Sequence, residues 1–482
     1  MNDAPRVAPN MRKPKILLYN PQAVFYTMPL GLLAIGSNLD PERFEVIIID
    51  GRLESDPVHA LKAHLADALC LGMSVLTGRP IHDALRISRA IKALRPDLPI
   101  IWGGWHPSLF PRECLAEPAI DITVQGQGEA TFRDIVDRLV EKKNLEGIAG
   151  CAFRQADGIV QNPPRPLQNM DHFAPVNYNL IPVQKYYSIK KQKQLDYISS
   201  TGCYFRCTFC ADPFVYKRKW SALAPERMGE ELERLWRQHR FDDLHLQDET
   251  YFTYRDRVVA VAEEYLRRGL QFTWTATMRA DQGAARLSEA DFALCKKSGL
   301  RRVLIGVESG SQEMLNWMKK DITLEQIFVA AERCARHDIA VDFPMIVGFP
   351  DEPEESVRAT LQIAKQLRAM SPQFKTQIFF YQPYPGSPIA DMVKAKGYPS
   401  PTTLAEWADF DFVGSYGPWV SRDKWRLVQR FKFYSRHAWG AQNGFLRRPL
   451  QRLANWRCTK DYYAFPVEKW LIETLQPQPQ MS

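Results

Sequence analysis

The sequence contains no run of about 18 consecutive apolar residues, so it predicts no helix that spans a membrane. The N-terminus lacks the apolar core of a secretory leader, and we expect residues 1–13 to form a short disordered tail. There is no internal repeat. With 482 residues, 45% hydrophobic and 24% charged, the chain has room for two or three domains of an ordinary soluble protein. These features favour a cytoplasmic protein and leave peripheral contact with a membrane open.

Cysteines in a disulfide pattern are also missing. The chain has nine cysteines, an odd number, and their scatter argues against a disulfide scaffold and for a reducing compartment. Only three of them lie close together in the sequence. We expect the others to be small core residues: Cys70, Cys114, Cys151, Cys295, Cys334 and Cys458.

The three clustered cysteines are the most informative feature that is present. Cys203, Cys207 and Cys210 have C-x3-C-x2-C spacing and follow an apolar, strand-like run that begins at Leu195. Three thiolates on one loop can hold three irons of a [4Fe–4S] cube and leave the fourth iron open to a small molecule. Structural zinc and simple packing are the alternatives. Zinc is disfavoured because its usual second pair of ligands does not follow.

The pattern of apolar runs predicts a first domain at residues 14–147, in which short apolar strands alternate with helices. The strands are expected at 15–19, 44–50, 68–73, 100–102 and 120–124. Buried strands that alternate with helices predict an α/β domain with a doubly wound parallel sheet. A ligand of such a sheet binds at the carboxyl ends of its strands.

Small and flexible residues recur at those strand ends, which favours a bulky ligand over tight turns alone. A dinucleotide is disfavoured because G-x-G-x-x-G does not follow the first strand. The residues at the strand ends are Gly31, Ser74, Leu76, Thr77, Gly103, Gly104, His106, Gly126, Gly128 and Glu129.

Residues 191–400 predict a second alternating domain with six strand–helix units. Six units indicate a partial (β/α)6 barrel with its site at the carboxyl ends of the strands. Several strands end in charged residues: Asp248, Glu249, Arg279 and Glu308. One such residue would be read as a cap or an ion-pair partner, but three strands that end in charge near the cysteine loop favour a site.

Two further segments complete the chain. Residues 148–190 are rich in proline and predict a small hairpin, Cys151 to Val160, followed by an extended linker. Residues 401–482 predict a helical cap with many tryptophans and arginines. Within it, residues 421–460 carry eleven Lys and Arg against a single acid, Asp423, whereas the net charge of the whole chain is only +8.

The cysteine motif and the strand ends together resemble the radical S-adenosylmethionine (SAM) enzymes. The resemblance implies that Phe209 lies along the adenine and that Glu249, in an Asp248-Glu249 pair where the family usually has Gly-Gly-Glu, binds the SAM amino group. It also implies SAM contacts from three further stretches. These are Glu308-Ser309-Gly310, Ile346-Val-Gly348-Phe-Pro350, and Gln382-Pro-Tyr-Pro-Gly-Ser387.

Residues 14–147 resemble the cobalamin-binding domain that precedes many radical SAM enzymes. The match is carried by Pro29-Leu-Gly31, Gly103-Gly104-x-His106 and Gly126-x-Gly128-Glu129. The Asp-x-His-x-x-Gly motif, which supplies a histidine to cobalt elsewhere, is absent. By analogy with the branch that lacks it, the Ser74–Thr77 loop, and Leu76 in particular, would face the lower side of cobalt. His106 would then have a structural role or an indirect one.

The resemblance implies a cobalamin-dependent radical SAM enzyme with a [4Fe–4S] cluster, SAM and cobalamin as cofactors, most simply a C-methyltransferase. Arg279 and Tyr384 are candidates for orienting the substrate. A cyclase-like oxidative enzyme with the same cofactors is one alternative, and a cobalamin-binding redox sensor is another. The expected partners are a small-molecule, lipid or peptide substrate and a flavodoxin- or ferredoxin-type electron donor. No nucleic acid is expected, because no recognition fold accompanies the basic charge.

Overall fold

The computed structural model describes residues 13–23, 25–410, 414–439 and 447–475. Most of the predicted N-terminal tail therefore lies outside the described residues. The described chain forms two compact units. The first comprises residues within 1–202, 215–243 and 400–411, and the second comprises residues within 203–214, 244–399 and 412–482.

The chain alternates between strands and helices over most of its length. The strands are β1 (Lys15–Asn20), β2 (Glu45–Asp50), β3 (Ala68–Ser74), β4 (Ile100–Gly103), β5 (Ile122–Val124), β6 (Cys151–Gln155), β7 (Gly158–Gln161), β8 (Gln194–Tyr197), β9 (Ser200–Gly202), β10 (Trp220–Ala222), β11 (Asp243–Leu246), β12 (Thr273–Met278), β13 (Leu300–Ile305), β14 (Ala340–Val347) and β15 (Phe374–Phe380). The helices are α1 (Leu30–Ser37), α2 (Pro57–Lys62), α3 (Pro80–Leu94), α4 (Trp105–Leu109), α5 (Pro111–Ala116), α6 (Glu129–Val140), α7 (Val183–Lys190), α8 (Asp212–Val215), α9 (Pro225–His239), α10 (Arg255–Arg267), α11 (Glu289–Lys297), α12 (Gln312–Trp317), α13 (Leu324–Arg336), α14 (Glu354–Met370), α15 (Pro388–Ala395), α16 (Leu404–Ala408), α17 (Arg422–Ala438), α18 (Arg447–Lys460) and α19 (Val467–Leu475).

The first unit is built on a seven-stranded sheet of order β2-β1-β3-β4-β5-β6-β7. Strands β1 to β5 are parallel, as predicted, because each pair is joined through a helical crossover. The hairpin predicted inside the linker extends this sheet, since β6 pairs antiparallel with β5 and β7 with β6. The sheet is therefore wider than the five strands that the sequence predicted for the domain.

The core on one face of this sheet explains why the short helix α16 belongs to the first unit. Apolar residues of α3 pack with Trp102 and with Trp407 of α16 in a single buried cluster. The Trp102 indole donates to Ser88 Oγ at 3.0 Å, so its one polar atom is satisfied inside the core. Residues 401–410 therefore belong to the first unit, although the sequence assigned them to the C-terminal cap.

The second unit repeats the strand–helix alternation. Strands β12 to β15 pair parallel in sequence order, and helices α10, α11, α13 and α14 lie between successive strands from β11 to β15. Capping boxes begin α11 at Ser288 and α13 at Thr323, which fixes where each crossover helix starts. The predicted α/β class is confirmed for both domains, as is the helical C-terminal region, in which α17 and α18 pack together.

No helix among the described residues is both long and apolar enough to cross a membrane.

Candidate active site

An open cavity lies within the first unit, at the carboxyl ends of its parallel strands. Loops after β3, β4 and β5 and the start of α1 form one wall. Seven of the ten residues predicted at the strand ends line this cavity: Gly31, Ser74, Gly103, Gly104, Gly126, Gly128 and Glu129. The sequence therefore located the site through the one property that a parallel sheet imposes, the convergence of its strand ends.

Two of these glycines show why side chains are absent at the strand ends. A Cβ on Gly104 would lie 3.0 Å from both the backbone N and O of Val75, and its φ of +95° is unfavourable for other residues. A Cβ on Gly126, in contrast, would meet nothing within 4 Å. Gly104 lets two loops approach closely, while the absence of a side chain at Gly126 leaves space in the cavity. Such a cradle fits a bulky, planar ligand.

The other three predicted residues do not line the cavity. Leu76 is exposed, whereas Thr77 and His106 are buried in the first unit. His106 Nδ1 lies 3.2 Å from Thr77 Oγ1, and its ring packs against Phe110 and Trp407 at centroid distances of 5.3 and 5.9 Å. Burial lowers the pKa of His106 to about 4, so the imidazole is neutral at physiological pH. This geometry supports a structural role for His106, and the placement of the Ser74–Thr77 loop beside cobalamin stays a prediction.

The buried His106 gives the first unit a pH-dependent stability. Because its folded pKa is depressed, the unfolded chain binds a proton more readily, and stability is lost as the pH falls from 6.5 towards 4. The loss amounts to about 3 kcal/mol at the acid end. In His106→Phe, we expect the free energy of unfolding, measured in urea, to depend less steeply on pH in this window. The difference in slope corresponds to about one proton fewer taken up on unfolding. The exposed His59→Asn is the control, and equal slopes for His106→Phe and wild type would contradict the prediction.

The wall of the cavity opposite the strand ends comes from residues that the sequence did not indicate. Met170, Phe173, Val176 and Tyr178 of the proline-rich connector line it, together with Arg227 of α9. Further lining residues from this side are Tyr197, Tyr216 and Glu231. They are about 40 to 200 residues distant from the strand-end motifs, and no local pattern marks them.

The cysteine loop lies in the second unit and is held by neighbours of that unit. Thr208 N donates to Met318 O at 2.9 Å, and Thr208 O accepts from Ile389 N at 3.0 Å. Arg206 forms a two-pronged ion pair with Asp321, with N···O distances of 2.7 and 2.9 Å. The loop is therefore fixed on both sides of Cys207 before any ligand binds.

The three thiols of the loop are shielded from solvent to different degrees. Cys207 is buried, and Cys203 and Cys210 are half-buried. Burial raises the pKa of Cys203 to about 11 and raises the pKa of Cys210 as well, so bound iron must displace their protons. Among the described residues, no three Cys, His, Asp or Glu side chains converge on a single metal position. A cube does not require such convergence, because each thiolate binds a different iron.

Arg279 is directed at this loop. Its guanidinium donates to Cys207 Sγ at 3.6 Å, to Asp281 Oδ1 at 2.9 Å and to the backbone O of Lys320, and it lies 3.7 Å from the centre of the Phe205 ring. Arg279 was predicted to orient substrate. In the structure it is buried with these contacts, which also suit it to hold the cysteine loop, and its role toward substrate stays a prediction. Tyr384 is half-buried after β15, where its backbone O accepts from Ser387 N.

Glu308, one of the residues predicted to contact SAM, forms a buried ion pair with Lys320. Glu308 Oε1 accepts from Lys320 Nζ at 2.6 Å, and both side chains are 8% exposed. Glu308 has a φ of +63°, which is rare for a residue with a side chain. Lys320 Nζ also lies 5.7 Å from the centre of the Phe209 ring. Lys320 thus links two residues that the resemblance assigned to SAM, and the sequence did not single it out.

The remaining predicted SAM residues have varied surroundings. Asp248 is buried and Glu249 half-buried just after β11. The Ser309 hydroxyl accepts from Ser311 N at 3.1 Å and so holds the turn after Glu308. Gln382 Nε2 is buried with no hydrogen-bond partner among the described residues, which leaves it available to a ligand.

Gly348 lies in a loop that is held by a buried acid. The Glu352 carboxylate accepts from the backbone N of Gly348 at 2.5 Å and of Phe349 at 3.1 Å, and from Ser356 Oγ at 2.8 Å. Burial raises the pKa of Glu352, although these donors favour its charged form. The Trp419 indole donates to Gly348 O at 2.7 Å from the other side. The adenine-side loop is therefore fixed by two residues outside the predicted motif.

Comparison with known proteins agrees with both the cavity of the first unit and the cysteine loop of the second. Residues 18–136 match the B12 binding domain, and residues 197–364 match the Radical SAM superfamily. Together with the cavity and the cysteine loop, these matches define a cobalamin-dependent radical SAM enzyme.

The chain belongs to this family, as its relatives show. It is 31% identical over 371 residues to an uncharacterized methyltransferase from Pyrococcus horikoshii, covering 74% of this chain and 77% of that protein. It is also 27% identical to the anaerobic magnesium-protoporphyrin IX monomethyl ester cyclase from Synechocystis sp., over 71% of this chain and 68% of that protein. Its cofactors are accordingly a [4Fe–4S] cluster, SAM and cobalamin.

Solved structures of two enzymes share the fold. The radical SAM methyltransferase TsrM from Kitasatospora setae aligns with a TM-score of 0.73 at 16% identity, over 93% of this chain and all of that chain. The cobalamin-dependent radical enzyme OxsB aligns with a TM-score of 0.73 at 17% identity, over 97% of this chain and 74% of that chain. The predicted architecture, a cobalamin domain followed by a radical SAM domain, is confirmed.

Proposed function

We propose that the protein transfers a methyl group to an unactivated carbon of a small-molecule substrate. The observation that carries this proposal is the presence of both sites in one chain, a glycine-lined cavity and a three-cysteine loop, in a relative of a methyltransferase at 31% identity. When bound, the cluster and SAM supply a 5′-deoxyadenosyl radical that abstracts hydrogen, and methylcobalamin supplies the methyl group.

The chain's own residues position and shield these groups. Cys203, Cys207 and Cys210 would hold the cluster, and Arg279 keeps their loop in place. The Glu308–Lys320 pair and the unpartnered Gln382 amide would hold SAM at the ends of β13 and β15. The cavity of the first unit would hold cobalamin.

The test uses anaerobically purified protein with reconstituted cluster and cobalamin and SAM that carries a trideuterated methyl group. Methyl transfer is expected to yield 5′-deoxyadenosine and S-adenosylhomocysteine. It is also expected to give a labelled product in which a CD₃ group replaces one hydrogen atom of the substrate. The cyclase-like alternative, which the Synechocystis sp. relative favours, would give deoxyadenosine with an unlabelled product. If protein with a full cluster formed neither nucleoside, both the methyl-transfer proposal and the cyclase-like alternative would be overturned.

Gly104 provides a test of the cavity assignment. In Gly104→Ala, the added Cβ would press on the Val75 backbone at a positive φ, so the strand-end loops must separate. We expect cobalamin to bind at least about tenfold more weakly, as measured by absorbance titration with hydroxocobalamin. Gly147→Ala is the matched control, because Gly147 has a φ of +80°, open space around its Cβ and no place in the cavity wall. Equal weakening in both variants would contradict the assignment.

The proposal extends to a lipid substrate met at an anionic membrane surface. Large apolar side chains are exposed near the C-terminus. They lie within or just after residues 421–460, a segment with eleven Lys and Arg and one acid. These side chains are Leu453, Trp456, Tyr462, Phe465, Val467, Trp470 and Leu471. Exposed aromatics beside basic residues suit an anionic lipid interface. One relative, from Methylococcus capsulatus, is a hopanoid C-3 methylase at 24% identity.

Vesicle sedimentation tests this extension. The protein is expected to pellet with vesicles that contain phosphatidylglycerol and to remain in solution with phosphatidylcholine alone. Trp470→Ser should weaken this binding, whereas Trp317→Ser, at another exposed tryptophan, should not. Equal recovery with both vesicle types, or no effect of Trp470→Ser, would overturn the membrane proposal and favour a water-soluble or peptide substrate.

A further inference from the structure

The proline-rich connector forms part of the cofactor cavity, and its backbone is held in an unusual way. The segment 168–178, here called the strap, contains only a 3-10 turn at Met170–His172 and the start of another at Tyr178. Met170, Phe173, Ala174, Val176 and Tyr178 line the cavity. The strap therefore presents apolar side chains to the cavity without a regular element of its own.

Side chains of three other elements satisfy the strap's backbone N–H groups. Gln168 N donates to Gln127 Oε1 at 2.8 Å, and Met170 N donates to Ser221 Oγ at 3.0 Å. At the far end, Ala174 N donates to Asn38 Oδ1 at 3.0 Å and Asn177 N donates to Ser37 Oγ at 2.8 Å. The first two of these bonds are partly buried and the last two are exposed, and each is a single bond that can break separately.

Arg234 of α9 donates to Val176 O of the strap at 3.1 Å, and Arg227 of the same helix donates to two further strap carbonyls. Its Nη1 donates to Met170 O at 3.2 Å and its Nη2 donates to Phe173 O at 2.6 Å. Its Nε donates to Glu231 Oε1 at 2.9 Å, and the other oxygen of this buried carboxylate accepts from Tyr197 OH at 2.8 Å. Arg227, Glu231 and Tyr197 also line the cavity. Glu231 thus orients the guanidinium, which bridges two strap carbonyls that are three residues apart in the sequence.

We propose that the strap retains the corrinoid in the cavity and that Arg227 is the positioning residue that keeps it closed. A planar guanidinium can bridge two carbonyls and a carboxylate at once, which an ammonium group cannot do. The apolar strap side chains cover the bound cofactor, while the hydrogen bonds at both ends set how often the cover opens. This inference rests on the family's cobalamin site and is independent of the reaction that the enzyme performs.

The first experiment measures how fast bound cobalamin leaves. Protein loaded with hydroxocobalamin is diluted into excess apo-scavenger protein, and release is followed by absorbance. Arg227→Lys is expected to release cobalamin about tenfold faster than wild type, since it keeps the charge near Glu231 and loses the bridge. Arg237→Gln is the matched control, because Arg237 is exposed on the same helix, pairs with Glu233 of that helix and has no place in the cavity wall. Equal release rates for Arg227→Lys and wild type, or equal acceleration in both variants, would overturn the proposal.

The second experiment needs no variant in α9 and so does not depend on the folding of Arg227→Lys. Hydrogen exchange in wild-type protein, measured by mass spectrometry, is expected to slow in peptides that span 168–178 when hydroxocobalamin binds. Ser37→Ala, which removes the bond to Asn177 N, should restore part of the fast exchange. Unchanged exchange of the strap on binding would show that it does not cover the cofactor. Because neither readout involves SAM or substrate, failure here is separate from failure of the proposed methyl transfer.

Discussion

Replacing Cys207 with alanine is expected to reduce 5′-deoxyadenosine formation from SAM by about three orders of magnitude, to the background of cluster-free protein. Cys207 is the buried member of the three-cysteine loop and the one that accepts a bond from Arg279. Its loss removes a ligand and leaves the guanidinium without a thiolate to face. Iron content should fall with activity, which is measured by chromatography of the nucleosides under strongly reducing conditions.

The control for this variant is another buried cysteine of the same unit. Cys334 lies on α13, away from the loop, and burial raises the pKa of its thiol. Cys334→Ala is expected to keep its iron and its deoxyadenosine yield, with only a small packing loss. A Cys207→Ala protein that retained both iron and product would contradict the assignment of the cluster to this loop, whatever the effect of Cys334→Ala.

The strand-end glycines and the cysteine loop could be predicted because their signals are local. C-x3-C-x2-C spacing keeps three thiols on one loop in any fold, and a parallel sheet brings its carboxyl strand ends together by construction. For this reason seven residues scattered from Gly31 to Glu129 in the sequence line one cavity. No three-dimensional information was needed beyond the recognition of alternating strands and helices.

The parts of the site that could not be predicted depend on long-range contacts. Lys320 follows Lys319 and precedes Asp321, a charged run that by itself indicates an exposed turn, yet its side chain is buried against Glu308. The strap was read as a simple linker because proline density reports the absence of regular structure and says nothing of what the segment covers. His106 sits beside a glycine pair at a strand end, but its ring turns to Thr77 and into the core.

The second large effect is expected at Lys320. Lys320→Met would leave the Glu308 carboxylate buried without its cation, and breaking such a pair by removing one partner costs about 3–5 kcal/mol. The space is tight, since a Cβ on Gly306 would lie 2.4 Å from Glu308 Oε1 and 2.8 Å from Lys320 Nζ, so the carboxylate has little room to find another partner. We expect a lower thermal unfolding midpoint and loss of SAM binding in equilibrium dialysis.

A double variant separates the structural effect from the binding effect. Lys320→Met combined with Glu308→Leu removes both charges, and an apolar pair of similar volume should recover much of the lost stability. SAM binding should not recover, because the carboxylate assigned to the ligand is gone. Lys319→Met is the control, since Lys319 is exposed and adjacent in sequence, and it should leave both quantities near wild type. If the double variant regained SAM binding together with stability, the Glu308–Lys320 pair would be a folding element alone, and the SAM contacts would have to come from Glu249 and Gln382.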